Sequence, residues 1–226
     1  NQFNALVIGA SGTIGAAFAD LLGNSPRCAA VHGLHRHSTP PVDFADEDSI
    51  AEAARILGDG RRYHLIINAA GLLHNEAFMP EKRLADLNYL QMQATFQANT
   101  FGPALVMRHF VPLLASERAI MAMLSAKVGS IGDNRLGGWY SYRASKAALN
   151  MLVKTAAIEA ARNQKNSVLV ALHPGTVSSR LSQPFRGQTI GRPAQDAAAE
   201  MLAVIDALTP AESGCFRSYN GAELPW

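Results

Sequence analysis

The sequence predicts an α/β protein: a doubly wound parallel sheet with helices on both faces. Two patterns carry that expectation. Short apolar runs at 3–8, 29–34, 64–67, 119–125 and 167–172 have the length and continuity of strands buried on both faces. Between them lie stretches whose apolar residues recur at helical spacing, so strand and helix alternate as in a parallel sheet. In such a sheet ligands sit at the carboxyl ends of the strands, where these runs give way to small and polar residues.

At 226 residues the chain is expected to form one domain, 1–226, with a substantial core. Hydrophobic residues make up 48% and charged residues 17%, as in an ordinary globular chain. A formal charge of +2 and no Lys/Arg run argue against a nucleic-acid partner. No apolar run reaches membrane-spanning length, and the start carries no signal-peptide pattern. Two cysteines, Cys28 and Cys215, read most simply as thiols in a reducing cytoplasm, although they could be bridged. The chain opens at Asn1 without Met, so a trimmed start is expected.

The first run, 3–8, stops at Gly9-Ala10-Ser11-Gly12-Thr13-Ile14-Gly15, and 16–22 is helical. Strand, glycine loop and helix make a Rossmann-type phosphate site, because the helix N-terminus presents free backbone N–H groups. After the run 29–34, an acid would accept the ribose 2′-hydroxyl of NAD. The chain instead has His35-Arg36-His37. Arg36 can receive a 2′-phosphate bidentately, which favours NADP over NAD; the other reading is an arginine solvated in a loop.

Asp43-Phe44-Ala45-Asp46 leads into an alanine-rich helix at 49–57, with Ser49 as a possible cap. The run 64–67 ends in Asn68-Ala69-Ala70-Gly71. A helix is expected from 84 to 98, running past Asn99 into 104–114, with a break at Gly102-Pro103 as the other reading. Asn99 is out of place there, since Asn competes for backbone hydrogen bonds. A loop, 126–138, follows the run 119–125. The run 167–172 ends at His173-Pro174-Gly175-Thr176-Val177, the stretch 178–191 is irregular, and a helix follows Arg192-Pro193 through 197–208.

The chemistry is concentrated in 140–150. Tyr142 and Lys146 are four apart in a helix-forming stretch, so they share a face. A phenol ionises near pH ~10, and an adjacent ammonium is expected to lower that value into the range of acid–base work.

These residues, in this order, resemble the short-chain dehydrogenase/reductases over nearly the whole chain. The family's Tyr-x-x-x-Lys is Tyr142 to Lys146, and its Asn-Asn-Ala-Gly turn is similar to Asn68-Ala69-Ala70-Gly71. Its helix asparagine resembles Asn99, and its Pro-Gly resembles Pro174-Gly175, with Val177 and Ser179 placed to meet the nicotinamide amide. Asp43 and Phe44 are grouped with the cofactor contacts. Segments 133–139 and 221–226 resemble the branch called C-factor-like, after a bacterial cell–cell signalling protein.

Two departures stand out. The middle glycine of the family's Gly-x-x-x-Gly-x-Gly is Thr13, with Gly12 just before it. The family's serine, counted three back from Gly129, falls on Ala126. Ser125 is then the candidate catalytic serine, provided the strand end twists or bulges, with Ser130 a weaker substitute.

The resemblance implies hydride transfer between NADP(H) and a small carbonyl or alcohol. Tyr142 would donate the proton, Lys146 would bond the ribose, a serine would hold the substrate oxygen and Asn99 would position a water. Leu72, Leu73, His74 and the segment from Arg180 to Arg186 would line a moderately apolar pocket. The resemblance further implies a homodimer or homotetramer through the helices after Asn99 and Tyr142. Its alternative is a signalling or regulatory protein that binds the cofactor with little turnover.

Overall fold

The computed structural model describes residues 2–185 and 187–226; Asn1 and Arg186, the last residue expected at the pocket, lie outside them. Six strands, β1 (Phe3–Ile8), β2 (Cys28–Leu34), β3 (Leu65–Asn68), β4 (Ala119–Leu124), β5 (Ser167–His173) and β6 (Cys215–Ser218), form one sheet in the order β2-β1-β3-β4-β5-β6. All five pairings are parallel. The chain leaves β1 toward β2 and returns to the other side at β3. A crevice therefore opens at their carboxyl ends, where strand order reverses.

Alternation along each strand builds two apolar layers. Leu6, Ile8, Ile66, Met121 and Leu169 face α2 (Glu47–Gly58), α4 (Gly102–Phe110) and α5 (Tyr140–Asn163), meeting Ile50, Phe110 and Val153. Their neighbours Ala5, Val7, Ile67, Ile120 and Val168 face α1 (Thr13–Gly23) and α7 (Ala194–Ala207), meeting Phe18, Leu22 and Met201. No helix among the described residues is long and apolar enough to cross a membrane.

Some local expectations are corrected. The helix expected from 84 begins instead as α3 (Tyr89–Phe96), because the Asn88 side chain caps it by accepting from Gln91 N at 2.9 Å. Residues 84–86 make only a 3₁₀ turn. The expected run past Asn99 holds, and Gly102-Pro103 makes no break: a π turn at Gln97–Phe101 joins α3 to α4, and Pro103 falls in the first turn of α4, where its missing N–H does no harm. Asp46 rather than Ser49 caps α2, its carboxylate accepting from Asp48 N at 3.0 Å. Strand β6 was not anticipated, since Arg217 interrupts its short apolar pattern. The segment 178–191 contains a short helix, α6 (Gly187–Ile190).

Candidate active site

A cavity of about 580 Å³ lies at the carboxyl ends of β1, β2 and β3, lined by Gly9, Ser11, Gly12, Arg36, Asp43, Phe44, Ala69, Ala70 and Gly71 among others. The chain turns here without room for side chains. A Cβ on Gly9 would lie 2.7 Å from Ala70 N, and one on Gly15 would lie 2.1 Å from Gly9 O. Helix α1 starts at Thr13 with no acid in its first turn, leaving its first N–H groups directed at the cleft. Asn68 is fully buried, its Oδ1 3.4 Å from Ala70 N, and its Nδ2 finds no partner among the described residues. A glycine cradle, a helix N-terminus and a free buried donor fit a dinucleotide.

The remaining cofactor candidates divide. Thr13 and Gly15 form the first turn of α1, while Ile14 packs against the core. Arg36 is exposed at the rim, and Asp43 Oδ1 accepts from Ala45 N at 2.9 Å. Pro174, Gly175, Val177 and Ser179 lie beyond this cavity, past the end of β5. There the Val177 side chain is buried among the α7 contacts, and the Ser179 hydroxyl is 3.3 Å from that of Ser182.

Tyr142 and Lys146 are both buried, on the first two turns of α5. Lys146 Nζ donates to Leu124 O at 3.0 Å and stands 5.9 Å from the centre of the Tyr142 ring. Burial dominates both groups. It pushes the phenol up to about 12 and the ammonium down to about 8, so the expected lowering of Tyr142 by Lys146 is reversed here. Asn99 sits in the π turn, where it donates to Leu72 O at 2.7 Å and to Ser145 Oγ at 3.1 Å. Ser145 Oγ in turn donates to Tyr142 O at 2.8 Å. Sequence reasoning missed Ser145; its place three residues after Tyr142, within reach of that carbonyl, was the available signal.

The strand end neither twists nor bulges. Ser125 N still pairs with Leu172 O at 2.9 Å, and its hydroxyl donates to Asn150 Oδ1 at 2.6 Å, two turns along α5 from Tyr142. Ala126, extended at φ −146° and ψ 141°, packs instead with Tyr142 and Leu73. Ser130 donates to Trp226 O at 3.2 Å, tying down the last residue. The hydroxyls of Ser125 and Ser130 thus hold the scaffold, and a methyl group stands beside Tyr142.

Against this geometry the comparisons with known proteins are specific. A family profile described as enoyl-(acyl carrier protein) reductase matches residues 16–214. The chain belongs to the short-chain dehydrogenase/reductase family. It is 34% identical over 188 residues to 1-hydroxy-2-glutathionyl-2-methyl-3-butene dehydrogenase of Rhodococcus sp. (strain AD45), covering 83% of this chain and 79% of that protein. It is 39% identical over 144 residues to C-signal of Myxococcus xanthus, covering 63% of this chain and 83% of C-signal. Among solved structures, NADPH-bound carbonyl reductase from chicken fatty liver superposes with a TM-score of 0.85 at 25% identity, covering 100% of this chain and 95% of that one. Carbonyl reductase Sniffer of D. melanogaster reaches 0.86 at 21% identity over the whole of both chains, a likeness of fold.

As a short-chain dehydrogenase/reductase the chain is an NAD(P)-dependent oxidoreductase. Its Tyr142 faces an apolar wall. Val128, Trp139, Leu181 and Phe185 pack around Leu73, Ala126 and Tyr142, with Trp139 and Phe185 ring centres 4.9 Å apart. His74 Nε2 lies 3.3 Å from Arg180 O and 3.1 Å from Leu181 O, fastening this segment over the wall. Leu72 lines the glycine-rich cleft instead.

Proposed function

We propose that this short-chain dehydrogenase/reductase uses NADP(H) in preference to NAD(H) and interconverts small apolar carbonyls and alcohols, with Tyr142 as the proton donor or acceptor. The observation that carries the reading is a buried phenol packed into an apolar wall, with Lys146 one turn on reaching Gly71 at the edge of the glycine-lined cleft. The Gly9–Gly15 turn would hold the pyrophosphate, Arg36 the 2′-phosphate, and Lys146 the nicotinamide ribose. Bound there, the cofactor supplies or accepts the hydride.

Burial keeps Tyr142 protonated at neutral pH, ready to donate to a carbonyl oxygen. Asn99 and Ser145 fix the helix turn that carries it. The apolar wall excludes water, which strengthens that hydrogen bond. The 226 residues act as one domain in the cytoplasm. The exposed Tyr89 and Leu90 of α3, Phe101, and Met151 and Ile158 of α5 form the face of a homodimer or homotetramer. Sedimentation giving a monomer at micromolar concentration would remove that last element.

The deciding experiment is NADPH oxidation with a panel of apolar aldehydes and ketones. Tyr142→Phe is expected to abolish turnover and leave NADPH affinity within about twofold, since the phenol acts on the substrate. Lys146→Ala is expected to weaken both. A second reading, a cofactor-binding regulator, draws on the similarity to C-signal and on a Ser125 hydroxyl given to Asn150. NADPH binding without turnover of any carbonyl would favour it.

A further inference from the structure

Helix α5 starts without a local cap. Its N-cap residue is Trp139, a bulky side chain at φ 53° that makes no capping hydrogen bond. Gly137 and Gly138 precede it at φ 62° and 64°, so three consecutive residues are left-handed. For Trp that conformation is unfavourable by about 1–2 kcal/mol and persists only where surroundings enforce it. A Ser or Asp in extended conformation would start the helix more simply.

The surroundings that enforce it come from Glu81, sixty residues away in the loop after β3. Glu81 is 2% exposed, and among the described residues no cation pairs with its side chain. Its carboxylate accepts from Ser141 N at 3.2 Å and from the Ser141 hydroxyl, and its backbone oxygen accepts from Trp139 N at 2.5 Å. The loop is braced from behind by α3, where buried Gln91 donates Nε2 to Met79 O at 2.9 Å. Arg143 holds the other side of the turn, donating to Gly137 O, Gly138 O and Val128 O. A buried carboxylate without a cation is unfavourable. Here it sits at a helix N-terminus with two donors, where its charge is favoured.

What this clamp fixes is the proton-transfer group. Ser141 is the residue before Tyr142, and the Trp139 ring lies 6.2 Å from that of Tyr142 and 4.9 Å from that of Phe185. We propose that Glu81 is a positioning residue that caps α5 from outside the helix and sets the place of Tyr142 and the Trp139 wall. This rests on the carbonyl-reductase reading above for its consequence in turnover. A misplacement of about 1 Å in a reacting group can cost about a hundredfold in rate.

The test uses Glu81→Ala and Glu81→Gln in the full chain, with Trp226→Phe in the background so that emission reports Trp139. Glu81→Ala is expected to lower kcat about 10- to 100-fold with NADPH affinity within about twofold, and to shift Trp139 emission to the red. Glu81→Gln keeps an acceptor for Ser141 N, so it is expected to recover kcat to within about threefold and to restore the emission. A folded Glu81→Ala with wild-type kcat or an unshifted Trp139 overturns the role. So does loss of NADPH affinity with kcat intact. If Glu81→Ala does not fold, Ser141→Ala decides: about a threefold or larger fall in kcat is expected, and an unchanged kcat overturns the role. A wild type without carbonyl turnover overturns the carbonyl reading alone, because Trp139 emission still reports on Glu81.

Discussion

Asn99 holds both backbone polar groups of Leu72. Its Oδ1 accepts from Leu72 N at 2.8 Å and its Nδ2 donates to Leu72 O at 2.7 Å, as an adjacent strand would. The amide therefore ties the π turn to the loop after β3, and through Ser145 to the Tyr142 turn. An asparagine that looked misplaced in a helix is a fully bonded junction between three segments.

Replacing it should be severe. Asn99→Ala leaves the N–H and C=O of Leu72 unpaired, at about 1–3 kcal/mol each. A loss of about 2–6 kcal/mol in urea unfolding is expected. Asn99→Asp is expected to be as damaging, because it turns an acceptor toward Leu72 O. An unchanged unfolding midpoint for either variant would contradict the junction.

Ser125 and Ala126 make the next test. Ser125→Ala should leave kcat within about threefold, whereas a donor acting in the transition state would be missed about a hundredfold. It should still destabilise by about 1–2 kcal/mol, since Asn150 loses its bond. Ala126→Ser, which places a hydroxyl beside Tyr142, is expected to raise kcat about tenfold. Steady-state kinetics on one apolar aldehyde checks both.

Arg36 stands exposed at the rim of the glycine-lined cleft. Arg36→Ala should weaken NADPH about 10- to 100-fold, the worth of charge-assisted hydrogen bonds, and leave NADH unchanged. Fluorescence titration of both cofactors measures it. Equal loss for both would assign Arg36 to a general electrostatic role.

His173 gives the fold a pH limb. Burial, and then the charge of Lys127, push it down to about 4 from its ordinary 6.5, and its Nδ1 is without a partner among the described residues. Between those values the unfolded chain binds the proton more readily than the folded one. Its contribution is thus complete above about pH 6.5 and is lost as pH falls toward 4. Urea unfolding at pH 7.5 and pH 5 is expected to differ by about 2 kcal/mol from this group, and His173→Gln should remove that part. An identical pH dependence in the variant would show another group responsible.

The sequence by itself determined the α/β fold, the position of most strands, the glycine cradle and the pairing of Tyr142 with Lys146 on one helix. These are local properties: an apolar run of strand length, closely spaced glycines between a strand and a helix, a four-residue spacing. Tertiary structure alone decided the rest. The direction of Ser125 depends on whether the alternation of β4 carries on into the residue after it, and only Asn150 on α5 shows that it does. The protonation of Tyr142 and Lys146 depends on burial, which outweighs the attraction that their spacing implies. The cap of α5 comes from Glu81, and no pattern around residue 140 reveals a partner sixty positions away. Spacing fixes which residues share an element, but which groups face each other across elements is settled by how those elements pack.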